Sequence, residues 1–186
     1  MFATISLTGR RVASHFQHSS RCILINFLWC KQKVAFLALT DFQAGAVLYV
    51  TDNAYTGPTS GFRDTEGVLS YTVPTEGLSA GSVVVWEDGA PDVQWTQSGS
   101  FILSTSGDTI TVFTAARDSE NEPSSITFAV DNSGDGWEPL DMADMTAAMS
   151  ALPAALAQAG MGSISFSTHR DNYVFRYDIT LEFGPY

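Results

Sequence analysis

Along most of the chain, apolar and polar residues alternate with a period of two, the mark of strands with one buried face. The pattern is clearest in Val68–Val73, where Leu69, Tyr71 and Val73 share one face and Ser70 and Thr72 the other. A similar run, Ala46–Thr51, precedes it, and the loop between them carries Asp52, Asn53, Gly57, Pro58, Gly61 and Gly67. Each of these suits a turn or a positive φ. The stretch from Gly45 to Val73 therefore predicts a β-arch or a long hairpin, and the rest of the chain reads as strands built to pack on it.

Upstream, Val34–Leu39 (VAFLAL) reads as a strand, followed by a turn at Asp41–Gly45. Downstream, Gly81–Trp86 (GSVVVW) is a continuous apolar run of the length expected for a buried strand. Residues 87–97, with Gly89, Pro91, Asp92 and Trp95, predict an exposed excursion. Phe101–Leu103 and Thr109–Phe113 read as strands bracketing a tight turn, Ser104 to Asp108. Ile126, Phe128 and Val130 alternate with Thr127 and Ala129, and further strands are expected near Ser163–Ser167, Tyr173–Tyr177 and Ile179–Phe183. A strand and a turn recur roughly every ten residues, the spacing of an all-β antiparallel sandwich. One segment breaks the period. Met142, Met145, Met149, Leu152 and Leu156 follow a three-four rhythm, which predicts one short helix over 141–150, started by Asp141 and stopped before Pro153. Its methionines would pack on a sheet.

With 186 residues and 16% charged residues, the chain is long and apolar enough to bury a core without staples. A single domain over 34–186 is expected. Charge divides the sequence: Arg10, Arg11, Arg21, Lys31 and Lys33 are five of the nine basic residues, and no acid occurs before Asp41. Beyond residue 33, four arginines stand against all twenty acids. Such a surface disfavours nucleic acid and anionic lipid and suits cations or basic partners.

Residues 1–33 form a basic segment of their own, with an apolar run from Cys22 to Trp29. Three readings stay open for it: a leader, which would make the protein secreted or organellar; a tail leading into a first core strand at Ile23–Trp29; or a misassigned start. The run falls well short of the roughly 20 residues needed to span a bilayer, so no integral membrane segment is expected. Cys22 and Cys30 fit no zinc spacing, and a bridge or two free thiols both remain open.

Three features have the residue types that chemistry or binding would use. Asp131, Ser133 and Asp135, with Gly136, reproduce the opening of a calcium loop. The acid expected at the twelfth position is Met142, so calcium would need another geometry; no other cofactor is expected. Asp52 and Asn53, with Arg63 and Glu66, predict an Arg–carboxylate bridge that pins the loop, or a ligand or interface site. Trp95, in a polar excursion, would either pack in the core or stack on a sugar or a partner, whereas Trp86 is expected in the core. His15, His18 and His169 do not assemble a metal set. No nucleophile elbow, zincin helix, phosphate loop or dinucleotide glycine motif is present.

The blocks Phe36–Asn53, Phe62–Gly67 (FRDTEG), Ala80–Val84 (AGSVV) and Leu103–Asp108 (LSTSGD), with Ala151–Leu156 and Asp171–Tyr177 after them, resemble a module of secreted bacterial proteins that is expanded in marine algae. That module is similar in style to immunoglobulin-like lamin-tail sandwiches, with a more distant likeness to the β-rich proteins of algal pyrenoid shells. The resemblance spans roughly residues 34–177 and departs at both ends, in SSRCILINFLWCKQK and in ITLEFGPY. It implies a non-enzymatic adhesion, surface-layer or shell-type assembly module and transfers no catalytic residues. The expectation is therefore a structural or interaction module that engages a protein partner or itself. A calcium-assisted carbohydrate-binding module is the alternative.

Overall fold

The computed structural model describes residues 32–58, 61–104, 107–114, 126–133, 136–139, 149–159 and 163–165, and the strands at 2–7, 10–12, 22–28, 172–174 and 178–182 by their backbone. In chain order the strands are β1 (Phe2–Leu7), β2 (Arg10–Val12), β3 (Cys22–Leu28), β4 (Lys33–Ala38) and β5 (Val47–Thr51). They continue as β6 (Tyr55–Gly57), β7 (Gly61–Phe62), β8 (Gly67–Thr72), β9 (Val83–Glu87) and β10 (Trp95–Gly99). After β11 (Thr109–Phe113) and β12 (Ile126–Asp131) comes a helix, α1 (Ala154–Ala159), then β13 (Ser163–Ser165), β14 (Asn172–Val174) and β15 (Asp178–Glu182).

Two sheets make an antiparallel β-sandwich. One runs in the order β10-β8-β5-β11-β12-β13, the other β14-β3-β4-β9. Every pairing is antiparallel except β12 with β13. A separate sheet holds β15-β1-β2, and β6 pairs with β7 in a small hairpin. The apolar run before residue 29 is thus a strand, and its ladder with β4 crosses residue 33. Between the two alternatives for the central stretch, the long hairpin is the one that forms: β5 and β8 share one sheet, with Val47 opposite Thr72 and Thr51 opposite Val68.

The core lies between the inner faces. Val34, Phe36, Val84 and Trp86 from the second sheet meet Leu48, Val50, Leu69, Tyr71, Ile110, Val112, Phe128 and Val130 from the first. Period-two alternation puts these side chains on one face, and burying each large one contributes about 1.5–3 kcal/mol. The first sheet is also covered outside. Tyr55, Phe62 and Ala151 form a small second cluster, Phe113 stacks between Tyr49 and Phe62, and α1 packs on β12. Hence β11 is buried along its whole length.

Five expectations need correction or placement. The run GSVVVW is an edge strand: Val84 and Trp86 are buried, whereas Val83 and Val85 are 53% and 39% exposed. The excursion ends in a strand, β10, that turns Trp95 inward. In Phe101–Leu103, Phe101 and Leu103 are buried and Ile102 is exposed, but the run joins no ladder, because side chains satisfy its backbone, as described below. The helix expected over 141–150 lies outside the described residues as far as 148. The described helix is α1, where Pro153 accepts the N–H groups of Leu156 and Ala157 and so begins a helix instead of ending one. The pairing state of Cys22 and Cys30 also lies outside the described residues.

Candidate functional site

The end of the β5–β8 hairpin gathers the polar residues singled out in the sequence. Asp52 is buried, and both its oxygens accept backbone N–H groups: Oδ1 from Gly67 at 2.8 Å and Oδ2 from Ile102 at 2.8 Å. Asn53 is also buried. Its Oδ1 accepts from Thr65 and Glu66 N–H at 3.1 and 3.0 Å, and its Nδ2 donates to the Gly67 carbonyl and to Thr51 Oγ1. Thr51 Oγ1 in turn donates to the Gly67 carbonyl at 2.7 Å. A carboxylate is suited to this place because it only accepts, and the loop presents only donors to it.

Two further residues belong to the same end. Asp108 is buried, with Oδ2 accepting from Ser104 N–H at 3.1 Å and Oδ1 from Thr109 N–H at 2.9 Å. Gln32, at the turn between β3 and β4, clamps Leu103: Oε1 accepts its N–H at 2.6 Å and Nε2 donates to its carbonyl at 3.1 Å. Gly107 sits against Asn132 and Ser133, just after β12. There the Gly107 φ is +107°, and a side-chain carbon would meet Ser133 Cα at 2.6 Å. Only glycine fits both demands.

Electrostatics sets the acids of this cluster apart. Burial raises the Asp52 carboxyl above its ordinary range, opposed by the N–H groups it accepts. Burial holds Asp108 well above the carboxylate range, with the charges of Glu66 and Asp52 adding to the effect. Glu66 is raised to about 7 by burial and then by the charge of Asp52, while Arg63 pulls it down. Its Oε2 is buried without a hydrogen-bond partner. The charge of Asp52 thus reaches both Glu66 and Asp108, and burial is the largest cause at all three acids.

The remaining predicted positions fall elsewhere. Trp95 is only 8% exposed; it packs on Phe36 and Tyr71, with ring centroids at 5.8 and 5.1 Å, and its Nε1 donates to the Val85 carbonyl at 3.0 Å. That bond ties the edge of one sheet to the edge of the other. The indole is core and presents no stacking face, which corrects the exposed-indole reading. Asp131 is buried, and its Oδ1 accepts the Ser133 N–H at 3.0 Å. Asp135 lies outside the described residues. Among the described residues, no three His, Cys, Asp or Glu side chains are gathered as a metal ion would need. Nor is any helix among them long and apolar enough to cross a membrane.

Sequence reasoning found Asp52, Asn53, Arg63 and Glu66 and missed Gln32 and Asp108. Asp108 had a signal, since it closes the Ser104–Asp108 turn beside a glycine. Gln32 had none, because its partner lies 71 residues away. Compared with protein-family models, curated proteins and solved structures, the chain gives no match.

Proposed function

We propose that the protein is a non-catalytic structural or interaction module of the surface-layer, adhesion or shell-assembly type, working through its surface and not through a reactive pocket. The observation that carries this reading is how the acids at the hairpin end are used. All four carboxylate oxygens of Asp52 and Asp108 accept backbone N–H groups, those of Asp52 from distant segments and those of Asp108 from its own turn. Acids committed in that way are poor general bases and poor ligands, because the lone pairs chemistry requires are already engaged. Glu66 keeps a buried oxygen free, but one half-buried carboxyl is not an acid–base pair. The acidic surface and the apolar residues along β9 also favour a role in contact with other chains. Sedimentation velocity across a wide concentration range tests the assembly form of this reading. Species that grow with concentration are expected, and a strict monomer throughout would contradict assembly.

A further inference from the structure

Among the described residues β9 closes one side of the second sheet, and the charge on its outward face is confined to its end, where Glu87 is paired with Lys33. Val83 and Val85 point outward and stand exposed. The hydrogen-bond pattern of the ladder fixes where their backbone groups point. Asp88 N–H donates to the Gln32 carbonyl at 3.0 Å, and Ala38 N–H donates to the Ser82 carbonyl at 2.9 Å. In an antiparallel ladder with this alternation, the even residues of β9 bond to β4, and the backbone groups of Val83 and Val85 face away from it. The bond from Trp95 Nε1 to the Val85 carbonyl fits this assignment.

Beside this edge lies a cleft of about 380 Å³. Tyr71, Pro74, Leu78, Val83 and Val85 give it apolar walls, and Glu76 and Asp92 stand on its margin. The negative field there reaches the Tyr71 hydroxyl, which burial, then Asp92 and Glu76, push above its ordinary range. No cation lines the cleft, and Lys33, on the neighbouring strand, is paired with Glu87 at 3.2 Å.

We propose that the free edge of β9 and this cleft bind an extended peptide of a partner protein, in which apolar residues alternate with lysine or arginine. The proposal rests on the reading of the chain as an interaction module and names the chemistry of its partner. The outward N–H and carbonyl of Val83 and the N–H of Val85 continue the ladder onto the incoming strand. Its apolar side chains enter the cleft, and its cations meet Glu76 and Asp92. The occupant of this cleft is a basic partner and not a second copy, because Glu76 and Asp92 call for cations and beyond residue 33 this chain offers four arginines against twenty acids; self-assembly would use another surface.

Fluorescence anisotropy on the full chain tests this with two labelled synthetic peptides, one alternating Val with Lys and one alternating Val with Glu. The Val–Lys peptide binds, more weakly as salt rises, and the Val–Glu peptide does not. Reversing both margin charges (Glu76→Lys with Asp92→Lys) weakens Val–Lys binding by about tenfold or more. Val85→Pro, which removes one outward N–H at an edge where proline is tolerated, weakens it as well. The charge-reversed variant carries the test if the proline variant fails to fold. Equal binding of the two peptides, no binding of either, or Val–Lys binding untouched by charge reversal overturns the proposal. Self-association abolished by the same reversal also overturns it, by assigning the cleft to a second copy. Concentration-dependent assembly without peptide binding leaves the module reading standing and removes this one; peptide binding by a strict monomer does the reverse for assembly.

Discussion

Phe101 crosses Gly67 so closely that a side-chain carbon at residue 67 would lie 2.6 Å from the Phe101 Cα and nearer still to its nitrogen. The crossing is what brings the Ile102 N–H within reach of Asp52, whose other oxygen holds the Gly67 N–H. The neighbour here is backbone, which cannot rotate out of the way. Gly67→Ala should therefore cost about 1–3 kcal/mol or more, as overpacking does in a close-packed interior. Thermal melting checks it, with a drop of about 2–4 °C expected per kcal/mol for a chain of this size.

Glu66 makes stability fall as pH rises. Its folded-state carboxyl is raised to about 7 from an ordinary 4.5, so between those values the native state holds a proton that the unfolded chain has lost. Unfolding then releases that proton, and the slope of stability against pH is negative across this window. Asp52 and Asp108, also raised, act in the same direction. Glu66→Gln should raise the melting temperature at pH 8, by the equivalent of about 1 kcal/mol because solvent screens a half-exposed group, and change little at pH 4. Denaturant titrations of both proteins at the two pH values measure the difference.

Trp95 separates a packing role from a binding one. Trp95→Phe removes the bond to the Val85 carbonyl and part of the buried ring but keeps an aromatic ring against Phe36 and Tyr71, so a loss of about 1–3 kcal/mol is expected. Trp95→Ala empties the site and should cost about 3–5 kcal/mol. Urea unfolding measures both, and a neutral Trp95→Ala would mean that the indole is not core.

Alternation made β8 and β12 legible, because one buried face leaves a period in the sequence, whereas β4, β5 and β11 were legible as short strand-like runs between turn signals. The failures have a different cause. Phe101–Leu103 looks like a strand by composition, yet Asp52 and Gln32 take the backbone bonds that a ladder would have used. Residues 83–86 read as buried on both faces because an exposed Val cannot be told from a core Val without knowing which strand ends the sheet. Gly67 was legible as a special position, but for the wrong reason: close approach of Phe101, and not a turn, demands it. For the site, clustering in the hairpin loop revealed Asp52, Asn53, Arg63 and Glu66. Gln32 depends on a contact that only the folded chain brings together.

If the acids at the hairpin end fasten loops to the sandwich, removing one must weaken the fold. Asp52→Ala leaves the Gly67 and Ile102 N–H groups without their acceptor, a loss of about 2–4 kcal/mol on the cost of unsatisfied buried donors. Residues held in place for a ligand or a reaction behave in the opposite way, since replacing them commonly leaves stability unchanged or raises it. The free energy of unfolding of Asp52→Ala, measured in urea at neutral pH beside the wild type, decides between the two. A loss of that size is the result expected here, and equal or greater stability than wild type would contradict it.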